Sequence, residues 1–412
     1  MIVRFGGAVA VAAVVLAGCS ASEQIESSAP TTTTTVALPA VSTSAVTTTS
    51  LPPALHLDPR VTPIAELDPQ EVCKIPDITS GGTEDDVSSG FPRIADGASS
   101  LEDLDLLVVP VSVEDSVFGD RDLMAVDEAL GTVREFFSDQ SYGRVTVNGT
   151  VAPRESWVTL DGTAESTGMA DETFAHDKTS IYRNAVALAA DTLDLAAYDA
   201  IAVFAPADER FSFGQSIGRI DTADGLLPYG VLMGGRAVTA WMVLAHEIVH
   251  AWLLSEDLYL FADQSQLMMG GWDLMEGSER MTLEINPWTR WINAWLDDSQ
   301  VRCVTRPGET VHHLETISVT SDLVKMVVVK LTEHSVLVID SRRDLGFGEG
   351  GWDDNGDATI AYVVDTSIRH GEGPFRWRGE LRAVGESLTT DGVTITLLEA
   401  DATGDLVSVV LG

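Results

Sequence analysis

The stretch that most restricts the fold of this chain is 237–254, which is apolar on every side yet carries His246, Glu247 and His250. A helix without a polar face belongs inside a core. Each polar group buried there must find a partner, or it costs roughly 1–3 kcal/mol. The pattern is His-Glu-x-x-His, so the two imidazoles stand on one helical face, one turn apart. Two neutral imidazoles so placed grip a single ion. Zn²⁺ suits such a pair completed by a carboxylate, with one position left for water. Glu247, next to the first histidine, is placed to take a proton from that water. Two core histidines bonded to backbone carbonyls, with Glu247 paired to a cation, are the alternative.

The remaining composition narrows the partners. The chain has 412 residues, 45% of them hydrophobic and 21% charged, a balance that suits a folded protein of two or three domains. Against 25 Lys and Arg stand 63 Asp and Glu, a net charge of −38. Nucleic acid is therefore not an expected partner, because phosphate binding needs clustered cations. Electrostatic docking on anionic lipid is excluded on the same ground.

The first residues read as an export signal. Arg4 precedes the apolar stretch 5–16, which is shorter than the roughly 20 residues of a membrane span. Leu16-Ala17-Gly18-Cys19 follows and resembles a bacterial lipoprotein cleavage box, which implies lipidation of Cys19 and a membrane anchor. An ordinary signal peptide is the alternative. Residues 27–57 contain no Asp, Glu, Lys or Arg, and 12 of the 20 residues in 31–50 are Ser or Thr. Such a segment buries too little apolar surface to offset its ordering entropy, so a disordered tether is expected. If Cys19 carries lipid, Cys73 and Cys303 remain as a pair in an oxidising compartment, which suggests one disulfide. Two buried free thiols are the other reading.

The expected elements form two groups. An apolar run at 104–113 reads as a buried strand, 127–137 as a helix and 144–151 as a strand, with another at 157–160. A helix over 182–193 leads to a buried strand at 200–204, giving a mixed α/β domain with helices on at least one face of its sheet. Beyond residue 301 the pattern is strands only: 324–331, 335–339, 359–364, 393–399 and 406–411, which suggest a small all-β sandwich. The acidic run Asp353-Asp354-Asn355-Gly356-Asp357 has the oxygen donors of a weak Ca²⁺ site, although a solvated turn between two strands is the preferred reading.

Downstream of the histidines come Asp257-Leu258-Tyr259 and Trp272-Asp273-Leu274-Met275. Here the sequence resembles the M6 family of immune inhibitor A-like metallopeptidases, metzincin-type zinc enzymes. Their motif is His-Glu-x-x-His-x-x-Gly-x-x-Asp-Leu-Tyr, followed by a Trp-Asp-(Leu/Ile)-Met turn. Weaker similarities lie at 135–143, 288–295, 341–343, 362–365 and 371–374. The resemblance implies zinc on His246 and His250, Glu247 as general base and Met275 in the turn beneath the metal.

One departure bears on the third ligand. Leu253 stands where the family has Gly, and the Asp-Leu-Tyr segment begins one residue late. Glu256 keeps the family's offset from His246, while Asp257 opens the matching local pattern. Asp257 is preferred, on the expectation that the helix runs about one residue further before turning.

The expected organisation is a signal peptide over 1–18 and a tether over 19–65. A metzincin-like α/β (α+β) peptidase domain over 66–300 and a β-domain over 301–412 follow. The expected function is extracytoplasmic hydrolysis of a protein or peptide substrate. A catalytically inactive peptidase fold that serves as a surface binding protein is the alternative.

Overall fold

The run read as a buried strand forms β1 (Leu104–Ser112), whose side chains alternate between two cores. Leu104, Leu106 and Val108 enter one core, and Leu107, Val109 and Val111 the other. A strand covered on both faces has no use for polar side chains, and this explains its composition. The computed structural model describes residues 58–78, 87–93, 99–170, 178–208, 210, 212–217, 220–222, 225–227, 230–260, 263–276, 283–348 and 356–412. Cys19, the signal segment and the tether up to residue 57 lie outside the described residues, as do Asp353, Asp354 and Asn355.

After β1 come α1 (Asp120–Gln140), β2 (Val147–Val151), β3 (Val158–Thr159), α2 (Thr179–Ala189) and β4 (Ala200–Phe204). Then β5 (Ser212–Ile217), the hairpin of β6 (Ile220–Thr222) and β7 (Gly225–Leu227), and β8 (Gly230–Gly235) lead into α3 (Trp241–Leu253). The sheet runs β2-β1-β4-β8-β5, with β3 also beside β1. All its pairings are parallel except that of β5, which lies antiparallel to β8 at the end of the path. α1 and α3 pack on one face and α2 on the other.

Two features depart from the sequence expectation. α1 starts at Asp120 rather than near 127, because the Asp122 carboxylate closes its first turn, accepting from Gly119 N–H at 2.7 Å and Ala207 N–H at 3.0 Å. β5 and β8 are glycine-punctuated and escape a reading by periodicity. A Cβ at Gly230 would stand 2.2 Å from the Tyr182 ring, and one at Gly234 2.2 Å from the Phe213 ring, so packing requires glycine at both.

The short strands β9 (Tyr259–Leu260) and β10 (Asp263–Leu267) and the helix α4 (Pro287–Ile292) complete the region around α3. Next come β11 (Val301–Val304), β12 (Gly308–Glu315), β13 (Met326–Lys330), β14 (Ser335–Arg342) and β15 (Ala358–Asp365). β16 (Phe375–Leu381), β17 (Ser387–Thr390), β18 (Val393–Asp401) and β19 (Gly404–Leu411) close the chain. They form two sheets, β11-β13-β14-β15-β16 and β12-β19-β18-β17. Val327, Val329, Leu337, Ile339 and Val363 face the second sheet, against Ile395, Val407 and Val409. Their neighbours Met326, Val328, Val336, Val338 and Tyr362 face the other way and share a core with α1, α3 and α4. The five-stranded sheet is thus apolar on both faces, and β14 is buried along its whole length. The fold is mixed α/β, rich in sheet and with few helices.

Cys73 and Cys303 are joined as a disulfide across 230 residues of sequence, and both are fully buried. The segment before β1 is fastened to β11 in other ways too, for Gln70 Nε2 donates to Val301 O at 3.1 Å, and Thr305 Oγ1, just past the strand, donates to Asp68 at 2.6 Å. Non-reduced digests should therefore contain the two cysteine peptides joined. Replacing both cysteines by serine should lower the unfolding free energy by about 3–5 kcal/mol, as a cross-link closing so long a loop implies. Free thiols at both positions would contradict the bridge.

Candidate metal centre

The site is built by the end of α3 and the turn that follows. α3 has a mostly apolar surface, and His246 and Glu247 are buried within it. It stops where Leu254 adopts the left-handed conformation, with φ 54° and ψ 39°, and donates its N–H to Val249 O. Glycine is the usual residue at such a helix end, and a leucine there costs roughly 1–2 kcal/mol. The left-handed turn falls one residue beyond the position where the resembled motif has its glycine. That shift carries Asp257, and not Glu256, to the imidazoles.

The positions of the ring hydrogens constrain what the cluster holds. His246 Nδ1 lies 3.2 Å from Leu274 O, and His250 Nδ1 lies 2.7 Å from Ser255 O. A carbonyl oxygen only accepts, so both Nδ1 atoms carry hydrogen and each neutral ring presents a bare lone pair at Nε2. The two Nε2 atoms are 3.0 Å apart, and Asp257 Oδ1 lies 3.1 and 3.2 Å from them. Three lone pairs this close repel one another unless a cation sits among them. Burial disfavours a charged His250, but the Asp257 carboxylate overrides it and pushes the imidazole up to about 9. In Asp257 burial is likewise outweighed, by His250 and His246, which hold the carboxyl well below its usual range.

A metal ion answers the same demand. His246, His250 and Asp257 are the group among the described residues whose ligand atoms, all within 4.8 Å of one another, fit an ion. A tetrahedral zinc with bonds of about 2.0–2.1 Å holds its ligands about 3.3–3.4 Å apart, close to the spacing seen here. The donor set fits too, with each ring oriented from behind by a carbonyl.

The surroundings brace this cluster. The Glu247 carboxyl is pushed up by burial, against the pull of His246 and His250 and the smaller one of the Ser216 backbone N–H in β5. A Cβ at Gly214 of the same strand would lie 2.8 Å from Glu247 Oε1, so β5 runs directly against this carboxylate. Tyr259 is hydrogen-bonded to Asp257. Met275 is buried in the turn whose preceding residue supplies the carbonyl to His246, and its own carbonyl accepts from Leu258 N–H at 2.8 Å. Asp273 shapes that turn by accepting from Met275 N–H at 2.8 Å and Asn286 N–H at 2.7 Å. Glu276 braces it by accepting from the backbone N–H groups of Met269, Gly271 and Trp272.

Glu256, the other acid weighed from the sequence, is buried but turned away, toward His370 and Ser89. Glu284 lies 3.8 Å from Arg290 and 3.6 Å from Arg342. Sequence reasoning did not find Leu274 O, Ser255 O, Ser216 N–H or Gly214. Backbone groups carry no side-chain signature, and an isolated glycine in a strand signals close approach without saying to what.

If the cluster holds zinc, the ion stabilises the folded chain. Zinc at about a hundred times its Kd should add about 2.7 kcal/mol to the unfolding free energy. His250→Ala should abolish the gain. A denaturation midpoint unmoved by zinc in the wild type would contradict the assignment.

No protein-family model, no curated protein and no solved structure matches this chain.

Proposed function

We propose that the chain is a zinc metallopeptidase of metzincin type, exported and held at the outer face of a bacterial membrane through lipid on Cys19. The observation that carries the enzymatic part is the meeting of three lone pairs, from His246, His250 and Asp257, with the Glu247 carboxylate beside them. Bound there, zinc would supply Lewis acidity to a scissile carbonyl and to an attacking water. His246 and His250 are already fixed in the tautomer that ligation requires. Glu247 accepts the proton of the water and passes it to the leaving amine. Its burial favours this exchange, because a carboxyl pushed up from its ordinary range holds a proton more readily between the two steps. β5 ends the sheet beside Glu247, and a terminal strand is a template for pairing with an extended peptide.

The resemblance to the M6 family supports the same reading through residues 246–275 and supplies the reaction class. The export and anchoring part rests on residues 1–19 alone. Among the described residues no helix is long and apolar enough to cross a membrane. A second reading, an inactive peptidase fold that binds rather than cleaves, draws on the leucine in the left-handed position and the displaced acid.

One experiment separates the two: metal content and cleavage of a denatured protein mixture, for wild type and Glu247→Gln. Both proteins should carry one zinc per chain. The variant should cleave about 10²–10⁴-fold more slowly than the wild type, and a chelator should abolish wild-type activity. Cleavage retained by Glu247→Gln would contradict the role of Glu247. Stoichiometric zinc without cleavage in the wild type would favour the binding protein.

A further inference from the structure

We propose that Glu256 is a positioning residue that holds Asp257 against the two imidazoles by tying its loop to two segments remote in sequence. The inference rests on the metal-centre reading and deepens it. Glu256 is 2% exposed, and both of its carboxylate oxygens are engaged. Oε1 accepts from Ser89 Oγ at 3.3 Å, and Oε2 accepts from His370 Nδ1 at 2.9 Å and Gly371 N–H at 3.1 Å. A buried carboxylate is costly unless such donors surround it. This one joins the loop after α3 to a segment before β1 and to the connection between β15 and β16.

Each of those partners is itself held. Ser89 O accepts from Trp288 Nε1 at 2.9 Å, and Ser89 N–H donates to Asp77 at 2.8 Å. Phe91 packs edge-on against Trp288 and Trp291, with ring centroids 5.5 and 4.7 Å away. Ser88 N–H donates to Leu254 O at 2.7 Å, fastening the same loop two residues earlier. On the other side, Asp365 N–H donates to Pro374 O at 2.8 Å and closes the connection that carries His370.

The loop needs this support. Leu254 occupies a conformation that leucine disfavours, so the turn that delivers Asp257 does not sustain itself. Glu256 and Asp257 are neighbours with separate partners, and fixing the first fixes the backbone from which the second reaches the histidines. Residues that orient ligands from outside the coordination sphere typically change metal affinity 10–100-fold when removed.

Cobalt(II) is the probe, titrated into the metal-free full chain and followed by visible d–d absorption. The wild type should bind one cobalt with the intense bands of a four- or five-coordinate site. Glu256→Ala should bind about 10–100-fold more weakly, with altered bands at saturation that a mere loss of stability would not produce. Glu256→Gln, which keeps an acceptor for His370 and Gly371, should stay within about threefold of the wild type. His370→Ala should weaken binding in the same direction and decides the matter if Glu256→Ala does not fold. Wild-type affinity and spectrum in both Glu256→Ala and His370→Ala would overturn the proposal while leaving the metal centre standing. Binding lost in Glu256→Ala but kept in Asp257→Ala would make Glu256 a ligand and overturn it as well. A wild type that takes up no cobalt would remove the metal-centre reading and this inference together.

Discussion

The meeting of two imidazole lone pairs and one carboxylate oxygen inside an apolar helix region is the interaction to which the surrounding structure answers. Leu274 O and Ser255 O take the Nδ1 hydrogens and thereby force both Nε2 lone pairs inward. Asp257 then adds negative charge where repulsion already exists. In a core that only had to be apolar each of these choices is a cost, and a bound cation or a shared proton offsets it. The left-handed Leu254 belongs to the same set, since it delivers the third donor.

The C-terminal strands take part in this support through buried arginines. Arg342 on β14 donates to Trp272 O at 3.0 Å, in the turn that carries the carbonyl partner of His246. Arg290 on α4 donates to Gln140 Oε1 at 2.6 Å, Tyr142 Oη at 2.9 Å and Ile317 O at 3.0 Å, joining the end of α1 to the connection after β12. In a chain with a net charge of −38, cations are scarce, and several are spent inside the fold at junctions between segments. With the five-stranded sheet apolar on both faces, these bonds leave the geometry around α3 dependent on residues far along the chain.

What could be read from the sequence follows the same physics. His246, Glu247 and His250 were legible because helical spacing alone sets them on one turn. β1, β4 and β13 to β15 were legible because strands covered on both faces leave continuous apolar runs. β12, β16 and β17 were not, for their sequences mix polar residues with the few that enter the core. β5, which lies against Glu247, was hidden by Gly214, whose missing side chain is what lets the strand approach. The choice between Glu256 and Asp257 turned on where the helix ends, and leucine carries no marker of a left-handed turn. The roles of Ser89 and His370 depend on contacts across 167 and 114 residues of sequence, which no local pattern encodes.

In the proposed site His246, His250 and Asp257 share a metal ion rather than a proton. Zinc K-edge X-ray absorption on the purified chain loaded with one equivalent of zinc tests it most directly. The expected first shell is nitrogen and oxygen at about 2.0–2.1 Å, with the outer scattering of two imidazoles, reduced to one imidazole in His246→Ala. A shell without imidazole scattering, or one unchanged by His246→Ala, would contradict it.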